Sequence, residues 1–109
     1  MPKFKLLAFN NPVEGREAEY NDWYSGRHLA DVLAVPGFRS GQRFRLAPTQ
    51  KPGAPRPWQY VAIYDCEADD PRQLLDVLRV RLGTPEMPLS SAMAEERLLW
   101  CFEPITDVM

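Results

Sequence analysis

The sequence predicts one α+β domain, residues 1–109, in which four strands and two helices follow the order βαββαβ. Two observations give the elements: segments with period-two apolar alternation occur near both ends and twice in the middle, and two segments with helical apolar spacing separate them. A third observation is that proline and glycine clusters punctuate the chain between these segments. This order is that of the ferredoxin-like fold, an antiparallel four-stranded sheet with two helices on one face.

Composition limits the classes of function. The chain has 45% hydrophobic and 26% charged residues, which is ordinary for a soluble globular protein, and 109 residues can bury a core. A formal net charge of -2 provides no broad basic surface, so we expect no nucleic-acid partner. No apolar run reaches the ~18 residues of a membrane span, and the apolar start is too short for a signal peptide, so we expect a cytoplasmic protein.

The first strand and helix are predicted near the start of the chain. Residues Phe4–Asn10 are rich in apolar side chains and end at a turn, as expected of a short strand. Asn11 and Pro12 suit the N-cap and first position of a helix, but Gly15 weakens its first turn. The residues are therefore equally consistent with a helix that starts near Arg16.

This helix is predicted to be distorted. Its aromatic and basic residues share one broad face because they lie three or four positions apart: Tyr20, Trp23, Tyr24, Arg27 and His28. The apolar residues that follow lie on a rotated face: Leu29, Val32 and Leu33. A straight amphipathic helix does not divide its apolar residues in this way, so we expect an irregularity at Gly26–Leu29. Pro36 disfavours helix at Val35.

Two strands are predicted in the middle of the chain. Residues Phe38–Leu46 alternate between an apolar face, with Phe38 and Phe44, and a cationic face, with Arg39 and Arg43. The proline-rich segment Ala47–Pro57 cannot hold regular structure. Trp58–Cys66 is the strongest strand, because it is rich in aromatic and β-branched residues. Its alternation predicts that both of its faces are covered.

The last third of the chain carries a well-marked helix. Asp70 is a suitable N-cap, Pro71 a suitable first residue and Gly83 a suitable residue after the helix. Residues Leu89–Glu95 are predicted to form a short helical turn, and Leu98–Glu103 the final strand.

The predicted topology has consequences for pairing. The first and third strands are central, so Cys66 and Cys101 lie on strands that are not neighbours and a disulfide between them is not expected. The two cysteines and one histidine have no recognised zinc or redox spacing, so no metal site is expected.

Because the helices cover only one face of a sheet that is apolar on both faces, we expect a homodimer with the sheets face to face.

Six residues are candidates for a small-molecule site. His28 is the only histidine, and imidazole titrates near neutral pH, so it is the candidate general acid or base, the alternative being a structural histidine. Five others could bind substrate through aromatic rings, a guanidinium group or hydroxyls: Trp23, Tyr24, Arg43, Tyr60 and Tyr64. Core packing is the alternative for the aromatic residues, and a salt bridge at the dimer interface is the alternative for Arg43. Asp31, three residues after His28, could orient the imidazole or be solvated.

The pattern Tyr20–Tyr24, His28-Leu29, Val35–Phe38 and Gln42–Phe44 resembles the EthD-like branch of the dimeric α+β barrel superfamily. The resemblance covers roughly the first half of the chain. It implies a pocket between the first helix, the sheet and nearby loops, with His28 at the position of the family's helical histidine and with Trp23 and Tyr24 as its aromatic pair. Such relatives commonly work without a cofactor, but the fold carries many reactions.

Three functions are consistent with these residues. The first is a small cofactor-independent enzyme of the isomerase, lyase, cyclase or monooxygenase type, acting on a carbonyl-bearing or phenolic metabolite with His28 as general acid/base. The second is a non-catalytic ligand-binding or accessory protein that uses the same pocket. A third is a haem-dependent variant in which His28 is the axial ligand.

Overall fold

The computed structural model describes all residues, 1–109, and has the predicted order of elements. The elements, in chain order, are β1 (Lys3–Pro12), α1 (Glu17–Trp23), a π-helical turn (Tyr24–His28), α2 (Leu29–Leu33), β2 (Phe38–Arg45), β3 (Tyr60–Glu67), α3 (Pro71–Arg81) and β4 (Met93–Phe102). The segments α1, π turn and α2 are one continuous helix, called the first helix below. None of the helices combines the length and the apolar character that a membrane span requires.

The sheet confirms the ferredoxin-like fold. Its strands are antiparallel in the order β2-β3-β1-β4, so the first and third strands are central as predicted. Strand β1 lies between the strands that carry Cys66 and Cys101, and both cysteines are free. The core lies between the sheet and the helices and includes Tyr20, Tyr24 and Tyr64.

Helix boundaries follow local chemistry. The first helix begins at Glu17, which confirms the later of the two predicted starts, near Arg16. The earlier start, with Asn11 as N-cap and Pro12 as first residue, is wrong because β1 continues to Pro12 by pairing with Met93. The predicted irregularity is the π turn Tyr24–His28. Helix α3 has the predicted cap, in which the Asp70 side chain accepts a hydrogen bond from the Arg72 backbone N–H and Pro71 occupies the first turn.

The last strand corrects one prediction. The helical turn expected at Leu89–Glu95 is absent, and β4 already begins at Met93. The reason is tertiary: the Val13 backbone N–H donates to the Ala92 carbonyl over 2.7 Å, and Met93 pairs with Pro12. Pairing with a long β1 overrides the helical preference of the leucine, alanine, methionine and glutamate residues in this segment.

A β-bulge in β2 corrects a second prediction. Between Phe38 and Ser40 the register advances two residues on β2 but only one on β3. Phe38 therefore lies on the helix-covered face, whereas Phe44 lies on the open face and is 42% exposed. Arg43, paired with buried Ala62, also faces the helices, so the separation into an apolar and a cationic face does not hold.

The sheet face opposite the helices is open in a single chain. It carries apolar side chains from all four strands: Leu7, Phe9, Phe44, Val61, Ile63, Leu98, Trp100 and Phe102. Trp100 and Phe102 are 49% and 50% exposed. In a single chain, therefore, only one face of β3 is fully covered, and the second face offers the surface that the predicted dimer requires.

Candidate functional site

A cavity of about 220 Å³ lies between the helices and strands β1 and β4. Most of its lining is apolar. On the helix-covered side the lining residues are Ala8, Val32, Leu78, Leu82, Leu89, Met93 and Leu99, and the neighbouring strand residues Phe9 and Leu98, whose side chains face the open side, also border it. Its polar groups come from Asn10, Tyr24, His28, Tyr64 and Arg97. An apolar pocket with a few convergent polar groups is the usual form of a small-molecule site.

The first helix brings His28 to this cavity. In a regular α-helix, residues four apart drift around the axis, because a turn holds 3.6 residues. The wider turn at Tyr24–His28 offsets that drift, so Tyr20, Tyr24 and His28 are all buried on one side of the helix. Gly26 lies within the π turn, where an added Cβ would meet no atom within 4 Å.

Two aromatic rings fix the imidazole of His28. The indole of Trp23 stacks on it with ring centroids 4.5 Å apart, and the Tyr24 ring meets it edge-on at 4.7 Å. Trp23 does not line the cavity, and its Nε1–H donates a hydrogen bond of 3.1 Å to the Pro88 carbonyl. Trp23 is therefore placed to support His28 rather than to touch a ligand in the cavity.

His28 is buried without a hydrogen bond at Nδ1. The residue is only 6% exposed, and Nδ1 is the one fully buried side-chain nitrogen or oxygen atom that has no partner. Desolvation by burial lowers the pKa of His28 to about 4, with smaller contributions from an opposing Asp31 and from Arg97 and Arg43, which also lower it. The imidazole is therefore neutral near pH 7.

Two tyrosine hydroxyls form a pair in the same cavity. The Tyr24 and Tyr64 oxygens are 2.8 Å apart, and both residues are 2% exposed. Burial raises the pKa of Tyr24 and of Tyr64 above the ordinary value. Both groups are therefore neutral phenols near pH 7, able to donate hydrogen bonds.

Arg43 lies behind this pair and outside the cavity. Its guanidinium donates to Ser25 Oγ over 2.7 Å and to Asn21 Oδ1 over 2.9 Å. It also packs against three tyrosine rings, with distances to the centroids of 4.5 Å for Tyr24, 5.1 Å for Tyr20 and 5.3 Å for Tyr60. Arg43 has no carboxylate partner, since it is in none of the ion pairs.

Tyr60 is also outside the cavity. Its hydroxyl donates to the Glu17 carboxylate over 2.6 Å and accepts from Asn21 Nδ2 over 3.0 Å. Of the six candidate residues, the structure thus brings His28, Tyr24 and Tyr64 together at the cavity. Trp23, Arg43 and Tyr60 surround those three without lining it.

Sequence reasoning missed two polar residues of the cavity. Asn10 and Arg97 are register partners on β1 and β4, and both line the cavity. A polar residue at a buried position of an apolar strand was the available signal for Asn10. Arg97 had no such signal, because its strand begins earlier than the sequence indicates. No group of three or more His, Cys, Asp or Glu residues is arranged to hold a metal ion.

A second recess, of about 490 Å³, lies on the open face of the sheet. Phe9, Phe44, Trp58 and Trp100 contribute to its walls, together with the loop before β3. It lacks the buried, convergent polar groups of the smaller cavity. The smaller cavity is therefore the better candidate for binding and chemistry.

Comparison with known proteins identifies the fold. No family model and no curated protein sequence matches the chain. Solved structures do: an EthD family protein from Bacillus halodurans has 19% identity and a TM-score of 0.61, covering 94% of this chain and 99% of that one. An EthD-like protein from Ralstonia eutropha has 14% identity and a TM-score of 0.65, covering 99% and 96%.

A third solved structure is that of a mutant of MhuD with two manganese protoporphyrin IX molecules bound per active site. It has 19% identity and a TM-score of 0.62, and the match covers 99% of each chain. At these identities the likeness concerns the fold alone. It confirms, at that level, the resemblance to EthD-like proteins and to ferredoxin-like α+β barrels.

Proposed function

We propose that this chain is a small enzyme that acts on a carbonyl-bearing or phenolic metabolite in the cavity between the helices and the sheet. One observation carries the proposal: the only histidine is buried against this cavity, held by two aromatic rings, and its Nδ1 has no hydrogen-bond partner in the protein. A buried polar group without a partner costs free energy, and such costs are typical of functional sites. Structures of EthD family proteins share the fold.

His28 is the proposed general acid/base. The lowered pKa keeps the imidazole neutral near pH 7, so it can accept a proton from a phenol or from the carbon next to a carbonyl. The substrate becomes a phenolate or enolate, and the imidazolium then returns the proton to carbon or oxygen. Asp31, which opposes the pKa depression, would favour the transient imidazolium.

The proposed chemistry uses no cofactor. His28 would be the axial ligand of a haem, but a metal-bound histidine almost always donates its other ring N–H to a carboxylate, carbonyl or water. Nδ1 of His28 has no protein group to receive that hydrogen bond. The surroundings of His28 therefore do not fit an axial haem ligand. A Soret band that shifts when haemin is added to the wild type but not to His28→Ala would contradict this.

A ligand-binding or accessory role is the second candidate. It is favoured by the same low pKa, because a group with a pKa of about 4 is a weak base near pH 7. In that role His28 would hydrogen-bond a bound ligand, and no product would form.

We also propose that the chain forms a homodimer through the open face of its sheet. Trp100 and Phe102 are about half exposed on an open sheet face whose other members are also largely apolar. Exposed apolar patches of this kind usually mark an interface, and a second copy of the chain presents the same patch in a self-complementary way.

Thermal shifts with a panel of aromatic, phenolic and carbonyl compounds test the function, followed by mass spectrometry of each mixture. The proteins to compare are the wild type, His28→Ala, and Arg79→Ala as a matched surface control on α3. Binding to the native state raises the apparent stability by RT ln(1 + [L]/Kd). Conversion by the wild type and the control, but not by His28→Ala, supports the enzyme. Hits that all three proteins bind and never convert favour the ligand-binding role.

A further inference from the structure

The hydroxyl pair of Tyr24 and Tyr64 has one proton to spare. Two hydroxyls carry two protons, and the 2.8 Å hydrogen bond between them uses one. Neither oxygen has any other hydrogen bond within 3.5 Å in the protein. Both residues line the cavity and are 2% exposed. The second proton therefore has no acceptor among the protein's own groups.

Asn10 adds a second donor beside this pair. Its side chain is buried, lines the same cavity, and accepts a hydrogen bond at Oδ1 from the Tyr20 hydroxyl. That bond fixes the orientation of the amide, and neither N–H group of Nδ2 has a protein acceptor within 3.5 Å. The Asn10 side chain is also close enough to Tyr24 to lower the pKa of its hydroxyl.

The charges around these donors favour a negative oxygen. The Arg43 guanidinium lies 4.5 Å from the centroid of the Tyr24 ring, and Arg97 lines the cavity. Arg97, like Arg43, is in no ion pair, and no carboxylate lines the cavity. Arg43 lies outside the cavity and Arg97 is exposed to solvent, so both favour an anion in the cavity at a distance and not through a buried ion pair.

We infer that Tyr24, Tyr64 and Asn10 form a hydrogen-bond donor site for an oxygen that becomes negatively charged on the substrate. This inference rests on the proposed function and narrows it to an enolisable ketone or a phenol with an apolar body. When His28 removes a proton from the carbon beside the carbonyl, the C–H electron pair forms a C=C bond and the carbonyl π pair moves onto oxygen. The spare tyrosine proton and the Asn10 amide donate to that oxygen, as in an oxyanion hole.

The test uses 2-naphthol and naphthalene as probes, which share a ring system but differ in the hydroxyl. Affinities are measured by calorimetric titration, and absorbance reports how much bound 2-naphthol is ionised at a pH below its solution pKa. The proteins are the wild type, Tyr24→Phe and Tyr64→Phe, which keep the rings and hence the packing, together with His28→Ala.

We expect the wild type to bind 2-naphthol partly as the naphtholate. Each Tyr→Phe variant should weaken 2-naphthol binding about tenfold or more and reduce the ionised fraction, while naphthalene binding changes less than about twofold. Equal effects on both probes, no effect on either, or no 2-naphthol binding by the wild type would overturn the inference. The proposed function can fail independently of this inference. That would be the result if His28→Ala converted a substrate as fast as the wild type while the tyrosine variants still lost affinity for the naphtholate.

Discussion

The indole ring of Trp23 stacks on the imidazole of His28, with centroids 4.5 Å apart and an interplanar angle of 26°. Stacking on one side and the Tyr24 edge on another exclude water from the imidazole, and this desolvation is the main reason why its pKa falls. Trp23 is itself held by the hydrogen bond from Nε1 to the Pro88 carbonyl. The state of His28 is therefore set by packing between the first helix and the segment that leads into β4.

Burial of His28 makes stability depend on pH. Its pKa is about 4 in the folded protein, against an ordinary value of 6.5, so the unfolded chain binds more protons between these values. The free energy of unfolding therefore does not depend on His28 titration above pH 6.5. As the pH falls from 6.5 towards 4, it decreases by about 3 kcal/mol because the unfolded chain takes up the proton first.

Urea unfolding of the wild type and His28→Gln from pH 7.5 to pH 4 measures this loss. We expect the wild type to lose more stability than the variant over this range, because the variant lacks the titrating group. Parallel stability curves for the two proteins would show that His28 is not buried in its neutral form.

Two glycines should respond in opposite ways to the same substitution. Gly26 lies in the helix, and an added Cβ meets no atom within 4 Å, so Gly26→Ala should raise the free energy of unfolding by about 0.5–1 kcal/mol. At Gly41 an added Cβ would lie 2.7 Å from the Tyr64 ring. Gly41→Ala should therefore lower the free energy of unfolding by about 1–3 kcal/mol and displace the Tyr64 hydroxyl.

Denaturant unfolding of the two glycine variants checks this pair. A Gly41→Ala protein as stable as the wild type would mean that the Tyr64 ring is not held against β2.

Arg43 should not be replaceable by lysine. Its planar guanidinium contacts Ser25 and Asn21 at once while lying against three tyrosine rings, which a single ammonium group cannot do. We expect Arg43→Lys to lower the free energy of unfolding by about 1–3 kcal/mol. Arg45→Lys is the control and should be nearly neutral, because Arg45 is on the same strand but its side chain has no hydrogen bond or ion pair. Equal effects of both substitutions in urea unfolding would contradict the role of Arg43.

The open sheet face should control the oligomeric state. Trp100→Glu places a charge within the apolar patch and should convert a dimer into a monomer, because a buried unpaired charge is costly. Val80→Glu is the matched control, since Val80 is 66% exposed on α3, away from the open face. Sedimentation velocity distinguishes the species. A wild type that is monomeric at high concentration, or a Trp100→Glu protein that remains dimeric, would rule out this interface.

Much of the fold was predictable because local signals agreed with it. Asp70-Pro71 marked the start of α3, and the rotated faces around Gly26 marked the irregular turn. The errors arose where pairing partners decide the structure. The bulge between Phe38 and Ser40 reversed the faces of β2, and pairing with β1 placed Met93 in β4.

Part of the candidate site was also predictable from local signals. His28 and Tyr24 could be placed from the spacing along one helix. The approach of Tyr64 and Asn10 to them depends on how the helix packs on the sheet. No local pattern in the chain encodes the distance between the Tyr24 and Tyr64 hydroxyls.

The most direct test of the central claim is the rate of conversion of the best substrate from the panel by His28→Ala, with and without added imidazole. We predict that the variant folds, that its rate falls by about 10²-fold or more, and that free imidazole restores part of it by entering the space left by the side chain. A variant that converts the substrate at the wild-type rate would contradict the claim that His28 moves the proton.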